Sequence, residues 1–473
     1  MKNIGVMLAA LAVLMAVPAM GQKSIADIEG SWSGRLKESG REIRLIFNFY
    51  MTEADTIKAT LDSPDQSATG IPLGRVTFEN DTLRVAAPML RGDYHGVFAG
   101  DSSLTGTWTQ LGRQYELDLV LGAAPVTYNR PQEPKPPYPY REEEVTFRNR
   151  IENFDLAGTL TLPEGRGPFP AVVLITGSGQ QDRDESVFSH KPFRVIADHL
   201  THNGIAVLRY DDRGAGKSKG NVTKATSLTY ADDAAAAVDY LLERTEIDKG
   251  KIGLAGHSEG GLIAPIVASQ SQHVAFIISL AGPGVKGYDI ILRQNRDISQ
   301  LSGLSEAEIN ENIRVSSKIF DLVMADSDQR KVAKEAMEWY NADLDAMGLT
   351  PEERQNRMNS FTQSIITVNN PWFRYFLSTE PSEFWSKVTC PVLALNGDKD
   401  MQVNYQQNLP AIKEALKKGG NRKVKTVVLP MHNHLFQRCT TGAPSEYVTI
   451  EETFSPEALG LITEWIKKTV KVK

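Results

Sequence analysis

The chain has 473 residues, of which 41% are hydrophobic and 23% are charged, and its formal net charge is −6. A hydrophobic core stops growing at roughly 250 to 300 residues, so this length predicts two domains. The mildly negative charge, without a long run of Lys and Arg, argues against nucleic acid as a partner.

The first 21 residues have the pattern of a secretory signal peptide. Lys2 precedes an apolar run over residues 4–17, and Ala19 and Gly21 are small residues before a cleavage site at Gln22. A retained membrane anchor is the alternative, but the run is shorter than the roughly 20 residues that cross a bilayer. We therefore expect an exported protein of the periplasm or extracellular space, without stable membrane insertion.

Cysteine is scarce, with only Cys390 and Cys439 in the chain. In an oxidising compartment the two either form a disulfide or remain buried thiols, and both outcomes stay open. Two cysteines cannot build a metal site of their own, so no metal is expected.

Residues 22–123 alternate between short apolar runs and turn residues, which is typical of antiparallel β structure. We predict a small all-β barrel or sandwich with strands at 42–50, 56–61, 74–78, 82–87, 103–110 and 114–121. His95, Trp32 and Trp108 are interpreted as packing or ligand-surface residues rather than catalysts. Six prolines then predict a semi-rigid linker over residues 124–143.

From residue 144 to residue 473, apolar strand patterns alternate with helical patterns, which predicts a mostly parallel sheet covered on both faces. Strands are predicted at 171–175, 205–210, 251–255, 274–280, 391–395 and 424–429, and helices at 231–243, 262–269 and 456–469. A charged, helix-favouring segment at about 285–387 interrupts this rhythm. It is predicted to be a helical cap over the carboxyl ends of the strands, where such sheets bind ligands.

A G-x-S-x-G motif lies where the strand at 251–255 meets the helix at 262–269. In this context the turn holds Ser258 in a strained conformation with its hydroxyl exposed, and Gly256 and Gly260 leave room for it. The following helix points its first amides at the site, so the N–H of Glu259 is a candidate oxyanion donor.

The acid and the base are sought after later strands, in the order Ser, acid, His. Only His432 and His434 follow the strand at 424–429, and His434 is preferred because it begins a new turn. Asp398 and Asp400 both follow the strand at 391–395, and Asp400 is preferred as the acid that orients the imidazole.

Two polar loops follow the earlier strands. The first is Gly-rich, and a backbone N–H of Ser178 or Gly179 is the candidate second oxyanion donor. The second ends in Gly216-Lys217-Ser218, but Asp211 stands where a phosphate-binding loop needs Gly. We interpret it as a turn in which Asp212 and Arg213 tie loops together.

From about residue 144 onward the chain resembles the α/β-hydrolase superfamily, and more closely the bacterial EstD-type carboxylesterases. The matching segments are Gly177-Ser178-Gly179 with Asp182-Arg183-Asp184, Asp211-Asp212-Arg213-Gly214, Gly256-His257-Ser258-Glu259-Gly260-Gly261, Asn396-Gly397-Asp398-Lys399-Asp400 and Asn433-His434-Leu435-Phe436. The resemblance implies an α/β-hydrolase fold with a helical cap, and cleavage of short-chain esters through an acyl-enzyme. It also implies no metal or organic cofactor, and it supports Ser258, Asp400 and His434 by position.

Three functions are weighed. The first is an esterase, with Trp372, Phe373, Tyr375 and Phe376 of the cap lining a substrate pocket or, equally, serving as ordinary core. The second is a serine peptidase of the prolyl-oligopeptidase type, for which the β domain is too short to be a propeller. The third is a ligand-binding protein with a vestigial hydrolase domain, against which the intact set of Ser, Asp and His argues. The sequence does not indicate the physiological ester or the oligomeric state.

Overall fold

The computed structural model describes residues 23–38, 41–52, 57–66, 68–79, 81–90, 92–110, 113–122 and 128–471. The predicted signal peptide, residues 1–21, lies outside these ranges. None of the helices within them is long and apolar enough to span a membrane. The chain divides into two compact units, Met1–Thr127 and Tyr128–Lys473.

In the described residues of the first unit, ten strands form one antiparallel sheet. They are β1 (Gly30–Glu38), β2 (Arg41–Met51), β3 (Ile57–Ser63), β4 (Ala68–Pro72), β5 (Val76–Glu79), β6 (Thr82–Ala87), β7 (Gly92–Phe98), β8 (Ser103–Gln110), β9 (Arg113–Glu116) and β10 (Leu119–Leu121). Their order is β4-β3-β2-β1-β10-β8-β7-β6-β5, with β9 paired to β8. The sheet curls around a single hydrophobic core and forms a half-barrel. Of the two predicted forms, barrel and sandwich, this is closer to the barrel.

Aromatic side chains fill this half-barrel. Trp32 and Trp108 are fully buried, and the ring of Phe47 lies 5.2 Å from that of Tyr94 and 6.0 Å from that of Trp108. His95 instead lies on the outer surface, 3.0 Å from a carboxylate oxygen of Asp93. These positions favour packing for both tryptophans and a surface role for the histidine.

One predicted strand of this unit, 114–121, is two strands in the structure. Between β9 and β10 the side chain of Asp118 accepts a hydrogen bond from the N–H of Gly106 on β8 at 3.1 Å. A carboxylate oxygen thus replaces a backbone carbonyl in the ladder, and the regular pairing breaks at that point.

The second unit is built on eight strands. They are β11 (Arg141–Asn149), β12 (Phe154–Leu162), β13 (Phe169–Ile175), β14 (Ala206–Tyr210), β15 (Ile247–His257), β16 (Phe276–Leu280), β17 (Val392–Gly397) and β18 (Val424–Leu429). The order is β11-β12-β14-β13-β15-β16-β17-β18. Pairing is antiparallel from β11 to β14 and parallel from β14 to β18. The carboxyl ends of the parallel strands therefore share one edge.

Helices cover both faces of this sheet. Helices α2 (Ser227–Glu243), α3 (Gly260–Gln270) and α10 (Tyr405–Lys418) pack on one face, and α1 (Pro192–His202) and α11 (Pro456–Val470) pack on the other. The inner strands are buried on both sides, as a parallel sheet requires. The prediction of a mostly parallel sheet covered by helices on both faces is confirmed.

The region between β16 and β17 is helical, as predicted for 285–387. It holds α4 (Gly287–Leu301), α5 (Glu306–Ala325), α6 (Gln329–Asp345), α7 (Pro351–Val368), α8 (Pro371–Ser378) and the short α9 (Ser382–Trp385). Capping boxes at Ser305 and Thr350 start α5 and α7. The helices share a hydrophobic core of their own, which includes Phe320, Tyr340 and Phe361.

The predicted linker, 124–143, differs from the structure in its second half. Residues from Tyr128 onward belong to the second unit, and β11 already begins at Arg141. The guanidinium of Arg130 donates to the carbonyls of Val448 and Ile450 at 2.7 and 2.8 Å. This part of the Pro-rich stretch is therefore an anchored segment, because its polar side chains satisfy carbonyls of a neighbouring loop.

Both cysteines are free thiols. Burial raises the pKa of Cys390 and of Cys439 to about 11 in each case. Of the two outcomes left open by the sequence, the structure has the unpaired one.

Candidate active site

The G-x-S-x-G segment forms a sharp turn between β15 and α3. Ser258 has a backbone φ of +51°, a left-handed conformation that is rare for a residue with a side chain. A Cβ on Gly256 would lie 1.9 Å from the carbonyl oxygen of Gly260, and a Cβ on Gly260 would lie 2.2 Å from that of Ile175. Only glycine fits at both positions, which is the physical reason for the motif.

Asp400 and His434 meet at the same edge of the sheet. Nδ1 of His434 lies 2.8 Å from Oδ2 of Asp400, and both side chains are buried. The other oxygen of Asp400 accepts the backbone N–H groups of Gln402 and Val403 at 2.8 and 2.9 Å. The amide of Asn396 adds a bond to Oδ2 at 2.9 Å. The carboxylate is thus fixed from all sides, and it orients the imidazole.

The two competing residues are occupied elsewhere. Asp398 accepts the N–H of Met431 at 2.6 Å. Nδ1 of His432 lies 2.7 Å from the carbonyl of Pro430, and its Nε2 is buried without a partner among the described residues. Neither contributes to the pair formed by Asp400 and His434.

The loop of His434 reaches the residue before the candidate nucleophile. The rings of His257 and His434 lie 4.8 Å apart, and Nε2 of His257 donates to the carbonyl of His434 at 2.9 Å. Within the described chain, no hydrogen bond joins the Ser258 hydroxyl to His434. The pairing of nucleophile and base therefore stays a prediction.

The predicted oxyanion loop lies beside Ser258. A Cβ on Gly177 would lie 3.3 Å from the Cβ of Ser258. The N–H of Gly177 already donates to Oε1 of Glu185 at 2.7 Å, and Gly179 adopts a φ of +100°. Among the described contacts, the N–H groups of Ser178, Gly179 and Glu259 have no acceptor, so they are available to an oxyanion.

Acidic residues after β14 hold this loop in place. Asp212 accepts the hydroxyl of Thr176 at 2.9 Å and the N–H of Gln181 at 3.0 Å, at the two ends of the loop. Asp211 binds the guanidinium of Arg183 through both oxygens, at 3.0 and 2.8 Å. Burial raises the pKa of Asp212 well above its ordinary value. Asp211 and Asp212 therefore hold the Gly-rich loop in place by hydrogen bonds, as the sequence predicted for Asp212.

Arg213, the next residue, is fully buried and, among the described contacts, does not bind the Gly-rich loop; it binds two carboxylates elsewhere in the unit. Its guanidinium donates to Asp233 at 2.7 and 2.9 Å and to Glu152 at 2.6 Å. It ties α2 to the β11–β12 turn, as a buried cation must be paired.

Two further buried residues of the site, His257 and Glu185, were not predicted from the sequence. Nδ1 of His257 lies 2.9 Å from Oε1 of Glu185, and both side chains are almost fully buried. Burial alone lowers the pKa of His257, but the Glu185 carboxylate outweighs it, and the pKa is raised above its ordinary value. The only available signal was the charged Asp182-Arg183-Asp184-Glu185 run beside the Gly-rich loop.

The four cap aromatics occupy different environments. Phe376 is a buried core residue, and Phe373 packs against the cap core beside Phe320. Trp372 stacks on Phe376 with ring centroids 5.4 Å apart, and its indole N–H donates to Glu259 at 2.8 Å. Tyr375 is half-buried. Of the predicted pocket residues, Phe373 and Phe376 therefore have the environment of ordinary core, and Trp372 contacts the nucleophile turn.

The Glu259 carboxyl group, which accepts the Trp372 indole N–H, is buried. Its Oε1 also accepts the hydroxyl of Ser227 at 2.6 Å. Burial raises the pKa of Glu259, and the two hydrogen bonds oppose that rise. The cap is thus bonded to the residue whose N–H is the candidate oxyanion donor.

Strand order and loop positions define the class of protein. The turn with Ser258 follows β15, the loop with Asp400 follows β17, and the loop with His434 follows β18. Together with two antiparallel edge strands and the exchanged order of β14 and β13, this arrangement is that of an α/β hydrolase.

The family profile of the X-Pro dipeptidyl-peptidase (S15 family) matches residues 153–435. The match covers more than half of the chain, and the chain therefore belongs to this family.

Three comparisons describe its neighbours. The chain is 26% identical over 299 residues to Esterase EstD of Thermotoga maritima, covering 63% of this chain and 61% of that protein. It is 23% identical over 321 residues to an uncharacterized 31.7 kDa protein of Escherichia coli, covering 66% of this chain and 96% of that one. A solved esterase of Pyrococcus furiosus is 16% identical, with a TM-score of 0.41, over 70% of this chain and 93% of that one.

Proposed function

We propose that this protein is a serine hydrolase that cleaves carboxylic esters with short acyl chains through an acyl-enzyme. The observation that carries the proposal is the buried His434–Asp400 pair, 2.8 Å apart, beside a serine held at a positive φ. Similarity to an esterase supports the ester substrate.

In the acylation step, Ser258 attacks the ester carbonyl carbon while Nε2 of His434 takes the hydroxyl proton. Nδ1–H stays bonded to Asp400, which stabilises the imidazolium. The carbonyl oxygen becomes an oxyanion that accepts the N–H of Glu259 and one from Ser178 or Gly179. Collapse expels the alcohol, which takes the proton from His434.

In the deacylation step, water attacks the acyl-serine carbonyl and gives its proton to His434. The second tetrahedral oxyanion uses the same donors. Collapse releases the carboxylic acid, and the proton returns to the Ser258 oxygen. The cycle needs only the groups named above.

The cap contacts the nucleophile turn through Trp372, whose indole N–H donates to Glu259 at 2.8 Å. We propose that this contact restricts the acyl site, so that a long acyl chain would need it to open.

A dipeptidyl-peptidase is the second candidate, because the family profile carries that description. Such a substrate brings an ammonium group that needs a free carboxylate. Three buried carboxyl groups close to the nucleophile turn already have partners: Glu185 binds His257, Asp212 binds Thr176, and Glu259 binds Trp372. These contacts favour an ester, which carries no ammonium to be paired.

A substrate panel tests the proposal. Hydrolysis of p-nitrophenyl acetate, butyrate and octanoate is compared with that of glycyl-prolyl p-nitroanilide, using the wild type and Ser258→Ala. We expect turnover of the two short esters, weaker turnover of octanoate, and loss of all turnover in Ser258→Ala. Preference for the anilide would favour the peptidase, and no turnover of any substrate would favour a vestigial binding protein.

We also propose export, on the basis of the apolar N-terminal run and the small residues before Gln22. Fractionation of cells that express the full chain, with N-terminal sequencing, is expected to give an envelope or extracellular protein that begins at Gln22. A cytoplasmic product that retains residues 1–21 would contradict this.

A further inference from the structure

We infer that His257 is held as an imidazolium, and that its ion pair with Glu185 is a positioning element that fixes the oxyanion loop relative to the loop that carries the base. The inference rests on the proposed function. Neither residue touches the reacting atoms, and both act through their neighbours.

The hydrogen-bond partners determine the protons on the ring. Nε2 of His257 lies 2.9 Å from the carbonyl oxygen of His434, which can only accept, so Nε2 carries a proton. Nδ1 lies 2.9 Å from Oε1 of Glu185. That same oxygen already accepts the N–H of Gly177 at 2.7 Å, as an ionised carboxylate does. A doubly protonated ring satisfies both contacts at once, with Nε2–H donating to the carbonyl and Nδ1–H to the carboxylate.

The surroundings strengthen the pair. Apolar side chains of Phe193, Leu280 and Leu435 line the space next to His257 and Glu185. In such a setting each charge needs the other, because an unpaired buried ion is costly. Two further ionisable groups nearby are His434 and, behind it, Asp400, which is itself bonded to His434.

The pair joins two loops that must be in register. Glu185 draws the Gly177 N–H away from the site, which leaves the next two N–H groups of the loop free for an oxyanion. His257 fixes the backbone of His434, whose ring Asp400 then orients. Ser258 follows His257 directly, so the candidate nucleophile lies between the oxyanion loop and the loop that carries His434. An error of about 1 Å in such a constellation costs about a hundredfold in rate.

Kinetics of Glu185→Gln test the positioning role. The substitution is isosteric and removes the charge. We expect kcat to fall about ten- to a hundredfold with KM nearly unchanged, since the loss concerns the oxyanion and the base rather than substrate binding. His257→Gln is expected to behave alike, and the double variant is expected to be no worse than the more impaired single variant, because both act through one link.

Glu152→Gln is the matched control. It removes one carboxylate from buried Arg213, away from the site, and is expected to keep the wild-type kcat. A wild-type kcat in Glu185→Gln with its fold intact would overturn the inference. If Glu185→Gln raised KM and lowered thermal stability but left kcat unchanged, the inference would also be overturned. The pair would then have a structural role only.

Imidazole ¹⁵N NMR of the wild-type protein tests the charge without relying on activity or on variants that fold. We expect both nitrogens of His257 to be protonated at pH 7.5, because each faces a hydrogen-bond acceptor. A neutral tautomer at pH 7.5 would overturn the inference. Failure of the ester assay would overturn the proposed function alone, and the NMR result would still decide the state of the pair.

Discussion

Asp400 shows how completely a single carboxylate can be constrained. Two backbone N–H groups, one side-chain amide and one imidazole all donate to it. Such a group cannot turn away from His434 without losing several charge-assisted hydrogen bonds. The structure therefore fixes the tautomer of His434 with its proton on Nδ1.

Asp400→Asn is expected to keep the fold and to lower kcat about 10²- to 10⁴-fold, because the amide no longer favours the proton on Nδ1. Ester hydrolysis under saturating substrate measures this. Asp398→Asn is the control, since the Asp398 side chain accepts a backbone N–H of the neighbouring loop and, among the described contacts, does not bond to His434. Equal losses in the two variants would contradict the assignment of the acid.

His190 provides a residue-scale prediction for stability. Burial lowers its pKa to about 4, against an ordinary value of 6.5, although the carbonyl of Tyr447 opposes the shift. The unfolded chain therefore binds a proton that the folded chain does not. Stability from this group is present above pH 6.5 and is lost as the pH falls towards 4.

Urea unfolding at pH 7.5 and pH 5 checks this. We expect the wild type to lose more free energy of unfolding over this interval than His190→Asn, by an amount on the order of 2 kcal/mol. Identical pH dependence of the two proteins would show that His190 is not responsible.

Residues with a chain-order signal were predictable. Ser258, Asp400 and His434 each follow an apolar strand, in the chain order expected for this fold, and the structure places all three at one edge of the sheet. Glu185 and His257 carry no such signal, because 72 residues separate them and their pairing depends on how two loops fold back.

At the scale of elements, a side chain of the cap is bonded to the nucleophile turn. The indole of Trp372 on α8 donates to Glu259 before α3. Trp372→Phe removes this donor and keeps an aromatic, smaller ring. We expect kcat/KM to fall about tenfold, which corresponds to one lost hydrogen bond to a buried carboxyl group.

Trp339→Phe is the cap control, because Trp339 packs within the cap against Tyr340 and Phe361. It is expected to change cap stability and to leave kcat/KM close to the wild-type value. If both variants lowered kcat/KM equally, the contact with Glu259 would have no particular role.

The six strands β13 to β18 of the second unit were predicted from their apolar runs, whereas its two antiparallel edge strands, β11 and β12, were not. The strand predicted at 424–429 is β18, and those predicted at 82–87 and 103–110 are β6 and β8. The edge strand β11 was missed because its sequence is mostly charged. Glu142 on it pairs with Arg209 of β14, Glu143 with Arg244 at the end of α2, and Glu144 with Arg183 in the loop after β13.

At the scale of the molecule, all residues of the candidate site lie in the second unit, which starts at Tyr128 and has cores on both faces of its sheet. A chain beginning at Tyr128 is therefore expected to fold cooperatively and to retain ester hydrolysis within about threefold of the full chain, a change of less than 1 kcal/mol in the barrier. Thermal unfolding and kcat/KM measure this. An inactive but folded fragment would show that the β unit contributes to catalysis.

Mass spectrometry of the acyl-enzyme tests the central claim most directly. The wild-type protein is mixed with a p-nitrophenyl ester, quenched in acid within the first turnover, and digested. The account predicts one added acyl group on the peptide that contains Ser258, and none in Ser258→Ala. Ester turnover by Ser258→Ala, or an acyl group on another residue, would contradict it.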